Sequence, residues 1–125
     1  MFAISQAILG RVSYINGENP DKDRVYLVVD VFSDGIEILD VSSVKGKEHK
    51  LFFTSNKEIK NYNPPFLKQS FVKLDTLRKI PIAQAGSLRL LAKGKVLDGN
   101  EMSIIQDSLK EFYKHIKNDN SADSK

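Results

Sequence analysis

Cysteine is absent from the 125 residues of this chain. Its absence excludes a disulfide framework, a thiol nucleophile and thiolate ligands for a metal. The chain also lacks any run of about 18 apolar residues, which a membrane-spanning helix would need. Its first residues, Met1–Ser5, have neither the basic start nor the long apolar stretch of a secretory signal. These absences predict a cytoplasmic protein that makes no use of a membrane.

Several motifs of enzyme chemistry are missing as well. There is no glycine-rich phosphate loop, no histidine–carboxylate cluster at metal-ligand spacing and no serine–histidine–aspartate order. We therefore expect no bound cofactor and no metal. The length fits one domain, over residues 1–117. The small polar tail, 118–125, is expected to be disordered.

Positive charge is concentrated in the middle of the chain, although the net charge is only +3. Between positions 45 and 60 the basic side chains are Lys45, Lys47, His49, Lys50, Lys57 and Lys60. A basic segment suits a polyanion such as RNA, or an acidic protein partner. The alternative is a lysine-rich face that only contacts water.

Two apolar runs predict neighbouring strands with a polar group at one end of each. Arg24–Val31 opens on an arginine, and Ile36–Val41 is followed by Ser42 and Ser43. If the strands pair as a hairpin, Arg24 lies close to both serines. A guanidinium beside hydroxyls is suited to holding phosphate oxygens. The alternative is that these strands end on polar residues because they reach the surface there.

Other segments complete a mainly β prediction. Further strands are expected at Gly10–Ile15, Leu51–Thr54, Phe71–Asp75 and Leu77–Ile82, the last two being separate or one bent strand. Ser55 is expected to cap a short helix over Asn56–Asn61, with Glu58 in the capping-box position. The turn-forming residues 16–23 predict an exposed loop.

The C-terminal helix has the clearest pattern. Asp98 is a good N-cap, and Glu101 is placed to complete a capping box. The apolar stripe consists of Met102, Ile105, Leu109, Phe112 and Ile116. Its spacing indicates packing against a core or a second subunit. The predicted fold class is thus α+β: a small curled β-barrel closed by a C-terminal amphipathic helix.

The order of these elements resembles the MazF/PemK toxin family, with its Kid-type ribonuclease fold. The resemblance rests on four stretches: Gly10–Ile15, Arg24–Val29, Val41–Ser43, and the segment from Phe71 to the Met102–Leu109 helix. The stretch Ser42–Lys50 also resembles a related branch, the ToxN-like toxins. Val25 stands where the MazF/PemK family has proline, and Ser42 stands where it has threonine.

This resemblance implies an SH3-like barrel, a homodimer and metal-independent cleavage of single-stranded RNA by its own 2′-OH. It also implies an antitoxin protein whose acidic C-terminal segment occupies the RNA groove. Arg24 and Ser42 match the catalytic positions of the family. The other candidate RNA-binding residues are Ser43, Lys45, Lys47, His49, Lys50 and Asp75.

For some candidate residues, two interpretations remain open. Asp75 contacts RNA, or it pairs with Lys73 or Arg78. His49 acts as an acid or base, or is a bystander. Phe52, Phe53 and Phe66 stack on bases if they are exposed, but we expect at least two of them to lie in the core.

Two rivals to the endoribonuclease reading also remain. One is a barrel module that binds RNA or a protein without catalysis. The other is an interaction protein of a mobile element that needs a partner to act.

Overall fold

A computed structural model describes the backbone of residues 2–123 and the side chains of residues 2–116. One antiparallel sheet contains strands β1 (Ala7–Gly10), β2 (Arg24–Phe32), β3 (Gly35–Ser43), β4 (Asn56–Ile59), β5 (Ser70–Pro81) and β6 (Arg89–Leu90). The α-helices are α1 (Ile82–Ala85) and α2 (Gly99–Asp123). Two 3₁₀ turns cover Glu48–Phe52 and Ala92–Gly94. The chain is therefore an α+β fold, as expected.

The β2–β3 hairpin forms the middle of the sheet. Phe32 is in register with Gly35 at its turn, and Val25 is in register with Val41 at its open end. Long runs of β-branched and apolar residues favour these strands. The predicted hairpin is thus confirmed, including the meeting of the Arg24 end with the Ser42 end.

The six-stranded sheet is open in the described part of the chain. Its strand order is β4-β5-β3-β2-β1-β6, which leaves β4 and β6 as edges. The expected barrel requires these edges to meet, and the strand pairing does not close it. What the structure establishes is an antiparallel sheet with a C-terminal helix.

Apolar side chains lie on both faces of the sheet. One face packs under α2, where the core contains residues such as Leu27, Leu39 and Ile105. The other face packs around α1 and the segment after it, with Ile8, Val28, Ile38, Ile80, Ala85 and Leu88 in its core. Because side chains alternate along a strand, β1, β2, β3 and β5 each contribute to both clusters.

Helix α2 begins as the sequence predicts. The backbone N–H of Glu101 donates to the Asp98 carboxylate at 3.1 Å. The Glu101 carboxylate does not complete a capping box; it accepts from the backbone N–H of Asn61 at 2.8 Å instead, tying the helix to the segment after β4. The proposed tail, 118–125, begins inside α2, and its side chains lie outside the described residues, so its disorder stays a prediction.

Three local predictions are wrong. The first strand is Ala7–Gly10, and residues 11–15 follow it outside the sheet. Glu48–Phe52 forms a 3₁₀ turn in place of a strand at Leu51–Thr54. Asn56–Ile59 is strand β4, where a helix was expected, because it pairs with β5.

Strand β5 is one continuous element, the bent alternative of the two that the sequence left open. Its register with β3 shifts between Ile38 and Asp40. Thr76 stabilises this irregularity, since its Oγ1 accepts from the backbone N–H of Asp40 at 2.9 Å and donates to the carbonyl of Lys73 at 2.6 Å.

Candidate functional site

Arg24 and Ser42 lie at the open end of the β2–β3 hairpin. Val25 and Val41 form the last registered pair, so the next residues outward are Arg24 and Ser42. Directly opposed residues of antiparallel strands have their side chains on the same face, within about 5.5 Å at Cβ. The sheet therefore presents the guanidinium and the hydroxyl side by side, on the face opposite α2.

A tight turn after β3 adds a lysine to this pair. The backbone N–H of Lys47 donates to the carbonyl of Val44 at 2.7 Å. Gly46 has a φ of 78°, a conformation that side chains disfavour, which is why glycine suits this turn. Folding back, the Lys47 ammonium donates from Nζ to Ser42 Oγ at 2.9 Å. The Ser42 hydroxyl proton is then directed away from Lys47 and can be donated to a ligand.

Like charges surround Lys47. Its pKa is held below the ordinary value of 10.5, first by burial and then by the positive charges of Lys73, Lys50, Arg24 and Lys22. We call these four residues together with Lys47 and Ser42 the cationic site. An ammonium whose pKa is lowered by other cations is in an environment of positive potential, which attracts anions.

Counter-charge at the cationic site is weak. Arg24 faces Asp21 across 3.5 Å, but the Asp21 side chain is 86% exposed, so water screens this pair. Arg24 Nε is buried and has no hydrogen-bond partner within the described residues.

A partly buried ion pair lies on the same face, next to the cationic site. Asp40, two residues before Ser42 on β3, accepts from Arg78 at 2.9 Å, and both side chains are only 13% exposed. Arg78 also donates from Nε to the Ser13 carbonyl at 2.9 Å and lies over the Tyr26 ring. Burial raises the pKa of Tyr26, whose hydroxyl bonds to the Val12 backbone. This network holds the strands beside Arg24 and Ser42 in place.

No sequence pattern predicted the pairing of Asp40 with Arg78. Arg78 was considered as a partner of Asp75, and the structure corrects that expectation. Asp75 is exposed within the irregular stretch of β5, where its charge helps to raise the pKa of Tyr113 on α2, after the larger effect of burial. None of the contacts that define the cationic site involves Asp75.

Ser43 belongs to the other face. Consecutive residues of a strand point in opposite directions, so Ser43 faces away from Ser42. It lines a mostly apolar cleft of about 310 Å³ together with Val25, Val41, Phe66 and Leu91. Ser42 lines the same cleft, so the two serines lie on opposite faces of the strand but border one cavity at the end of the sheet.

The remaining predicted residues lie close to the cationic site along the chain. Lys45 is exposed in the turn that carries Lys47, and His49 is exposed in the 3₁₀ turn. Lys50 is half-buried and adds to the positive charge around Lys47. Lys47, rather than Lys45 or Lys50, is the basic residue in contact with Ser42.

More of the three candidate phenylalanines are exposed than the sequence analysis predicted. Phe66 is buried, but Phe52 is 88% exposed and Phe53 is 53% exposed. The expectation that at least two of the three lie in the core is wrong. Phe52 is the last residue of the 3₁₀ turn, two positions after Lys50, and Phe53 follows it.

No three histidine, aspartate or glutamate side chains in the described part of the chain come close enough to hold a metal ion. Within residues 2–123, no helix combines the length and apolar character needed to cross a membrane. Comparison with protein-family models and with curated proteins gives no match to this chain.

Proposed function

We propose that this protein is the toxin of a toxin–antitoxin system, a cytoplasmic endoribonuclease that cleaves single-stranded RNA without a metal. The observation that carries the proposal is the convergence of Arg24, Ser42 and Lys47 at one end of the sheet. Positive potential concentrates a polyanion there. Fixed donors aimed at a phosphate stabilise the charge that develops when it is attacked.

The proposed reaction uses the RNA's own nucleophile. The 2′-oxygen loses its proton and bonds to the adjacent phosphorus, and the bond from phosphorus to the 5′-oxygen breaks. The 5′-oxygen takes up a proton, so that the products carry a 2′,3′-cyclic phosphate and a free 5′-OH. Arg24 would hold two phosphate oxygens with its planar fork of donors. Ser42, oriented by Lys47, would donate to a further oxygen.

Assembly belongs to the same proposal. An acidic C-terminal segment of an antitoxin would complement the cationic site and block RNA from it. The SH3-like barrel and the homodimer follow from the family resemblance, and two-fold dimers are the commonest closed assembly. Light scattering at micromolar concentration should give twice the 14.1 kDa mass of one chain, and a monomer alone would contradict the dimer.

Cleavage of defined RNA oligonucleotides tests the reaction. Activity should survive EDTA, and the products should carry cyclic phosphate ends. A substrate with a single 2′-deoxy sugar at the cleavage position should resist, because it lacks the nucleophile. Loss of activity in EDTA, or equal cleavage of the deoxy substrate, would contradict the mechanism.

A catalytically inactive module that binds RNA or a protein is the second candidate. Val25 at the family's proline position and the altered loop over residues 16–23 favour it, because the resemblance gives this loop a part in shaping the RNA site. Such a module would bind RNA at the cationic site without cutting it. Growth arrest on expression, abolished by Arg24→Ala, would favour the toxin over this module.

A further inference from the structure

Two neighbouring aromatic rings stand in solvent beside the cationic site. Phe52 is 88% exposed and Phe53 is 53% exposed, whereas Phe66 and Phe71 are buried. A single exposed apolar side chain is ordinary, but two consecutive rings next to a group of cations form a surface of their own. The fold makes little use of the Phe52 ring.

The backbone that carries these rings is held at several points. Within the 3₁₀ turn, Lys50 N–H donates to the Lys47 carbonyl at 2.9 Å, and Phe53 N–H donates to the Lys50 carbonyl at 3.2 Å. After the turn, the Asn56 side chain donates to the same Lys50 carbonyl at 2.9 Å.

Both ends of this segment are tied to the sheet. Lys47 contacts Ser42 on β3, and Asn56 is in register with Lys73 on β5. Phe52 is therefore fixed relative to the cations. At about 2 Å per residue, a 3₁₀ turn places it roughly 10 Å from Lys47.

The chemistry of the two neighbouring surfaces points to one occupant. Lys47, Lys50 and Lys73 suit a chain of phosphates. Phenylalanine offers a flat apolar ring without a donor or acceptor, which stacks on any exposed base but reads no base edge. A duplex hides its base faces, and an acidic peptide has no flat ring at each charge. An unpaired polynucleotide has both groups in every unit.

We propose that Phe52, flanked by Phe53, is a stacking platform for an unpaired base of a single-stranded nucleic acid whose phosphates occupy the cationic site. This inference rests on the proposed function for the identity of the strand as RNA. It adds a role for Phe52, which would select single strands over duplexes. Phe52 would also hold the strand at the end of the sheet that carries the cationic site.

Binding of an uncleavable strand tests the platform apart from catalysis. The probes are a 2′-O-methyl RNA oligonucleotide, the same backbone without bases, the corresponding duplex, and polyglutamate. Phe52→Ala should weaken binding of the oligonucleotide about 10-fold. Phe52→Tyr should bind within about twofold of the original chain, because it keeps a ring. Since the ring is exposed, both variants should keep their thermal unfolding midpoint.

The other probes and a matched variant separate stacking from charge. Phe52→Ala should leave binding of the base-free backbone unchanged, since no base remains to stack. Phe32→Ala is the control, because Phe32 is also exposed but lies at the opposite end of β2. Equal losses for the oligonucleotide and the base-free backbone would overturn the platform, and so would equal losses for the oligonucleotide and polyglutamate. An unchanged affinity in Phe52→Ala would overturn it as well.

The absence of tryptophan permits a direct optical test. In Phe52→Trp the only indole is the platform itself, and its fluorescence should be quenched by the single-stranded oligonucleotide but not by polyglutamate or the duplex. Phe32→Trp should show no such quenching. Quenching that is equal in both variants would overturn the inference. A protein that shows the Phe52-specific quenching but cuts no RNA would refute the endoribonuclease and leave the platform standing.

Discussion

The two faces of the sheet are formed by the same strands but serve different purposes. Toward α2, alternate residues of β2 and β3 are apolar, and Leu27 and Leu39 are fully buried. On the opposite face the same strands carry Arg24, Asp40 and Ser42 at their open end. Because side chains alternate along a strand, one hairpin supplies a core on one side and a polar site on the other.

Charge on the polar face is also confined to one end. Near the hairpin turn this face is apolar, with Val28, Ile36 and Ile38 in its core. Toward the open end the ion pair of Asp40 and Arg78 comes first, followed by the exposed cations. We therefore expect stability and the proposed anion binding to depend on separate residues, which substitutions can distinguish.

Breaking the partly buried ion pair of Asp40 and Arg78 should have one of the largest effects on stability. Arg78→Met leaves Asp40, which is only 13% exposed, without its charge partner. We expect the free energy of unfolding to fall by about 3 kcal/mol, because an uncompensated buried charge is costly. Chemical denaturation measures this.

An exposed ion pair between the β2–β3 turn and β5 provides the control. Asp34 and Lys79 are 2.7 Å apart, and their side chains are 73% and 42% exposed. Lys79→Met should have a much smaller effect than Arg78→Met, because water screens this pair. Equal losses for the two variants would contradict the expectation that the less exposed ion pair contributes more to stability.

A substitution that creates a cavity under α2 should lower stability without changing RNA binding on the opposite face of the sheet. Ile105 is fully buried, so Ile105→Ala should lower the free energy of unfolding by about 2–4 kcal/mol. Its neighbour Ile104 is 45% exposed, and Ile104→Ala should cost far less. At a temperature where Ile105→Ala is folded, its affinity for RNA should be unchanged. A loss of affinity in the folded variant would show that the two faces are coupled.

Lys47 should contribute more to RNA binding than its neighbour in the same turn. Lys47→Met removes the ammonium that contacts Ser42, and we expect affinity for a single-stranded oligonucleotide to fall by about 5- to 10-fold at low salt. The slope of log K against log salt should become shallower by about 0.7 if one phosphate contact is lost. Lys45→Met is the matched control and should change both quantities less, since Lys45 is exposed and does not touch Ser42. Equal effects of the two substitutions would show that RNA binding depends on the overall positive charge of the turn and not on Lys47 in particular.

The smallest effect that we expect is the change of folding stability with pH that comes from the titration of Lys47. Its pKa in the folded chain is lowered by burial and by neighbouring cations, while the unfolded chain should titrate near 10.5. Between these two values the unfolded chain binds more protons, so stability should rise with pH there. Lys47→Met should remove this rise. NMR titration of the lysine side chains should also lose its lowest-titrating signal in the variant, and its persistence would contradict the assignment.

The sequence was most informative where local pattern and tertiary contacts agree. The long apolar runs of β2 and β3 predicted the hairpin and its open end, and Asp98 predicted the start of α2. Strand β4 was missed because Ser55 and Glu58 imitate a capping box, while its strand conformation comes from pairing with β5. Strand β1 was placed too late because Gly10–Ile15 alternates in polarity and Ala7–Gly10 does not.

Long-range contacts explain what the sequence could not predict at the site. Asp40 and Arg78 are 38 positions apart, and only the register of β3 with β5 brings them together. The contact of Lys47 with Ser42 depends on the turn at Gly46, which a run of lysines does not reveal. The opposite directions of Ser42 and Ser43 follow from strand alternation once the strand is known to include both residues.

The central claim is that the cationic end of the sheet cleaves RNA, and single-turnover cleavage by Arg24→Ala tests it most directly. At saturating protein the rate should fall about 10²- to 10³-fold, as for the loss of one donor to a transition state, while the dissociation constant rises far less. Arg24→Lys should recover little activity, because lysine lacks the planar fork. Ser42→Ala should be milder, and Ser42→Thr should be tolerated. A wild-type cleavage rate in Arg24→Ala would contradict the account and remove Arg24 from the active site.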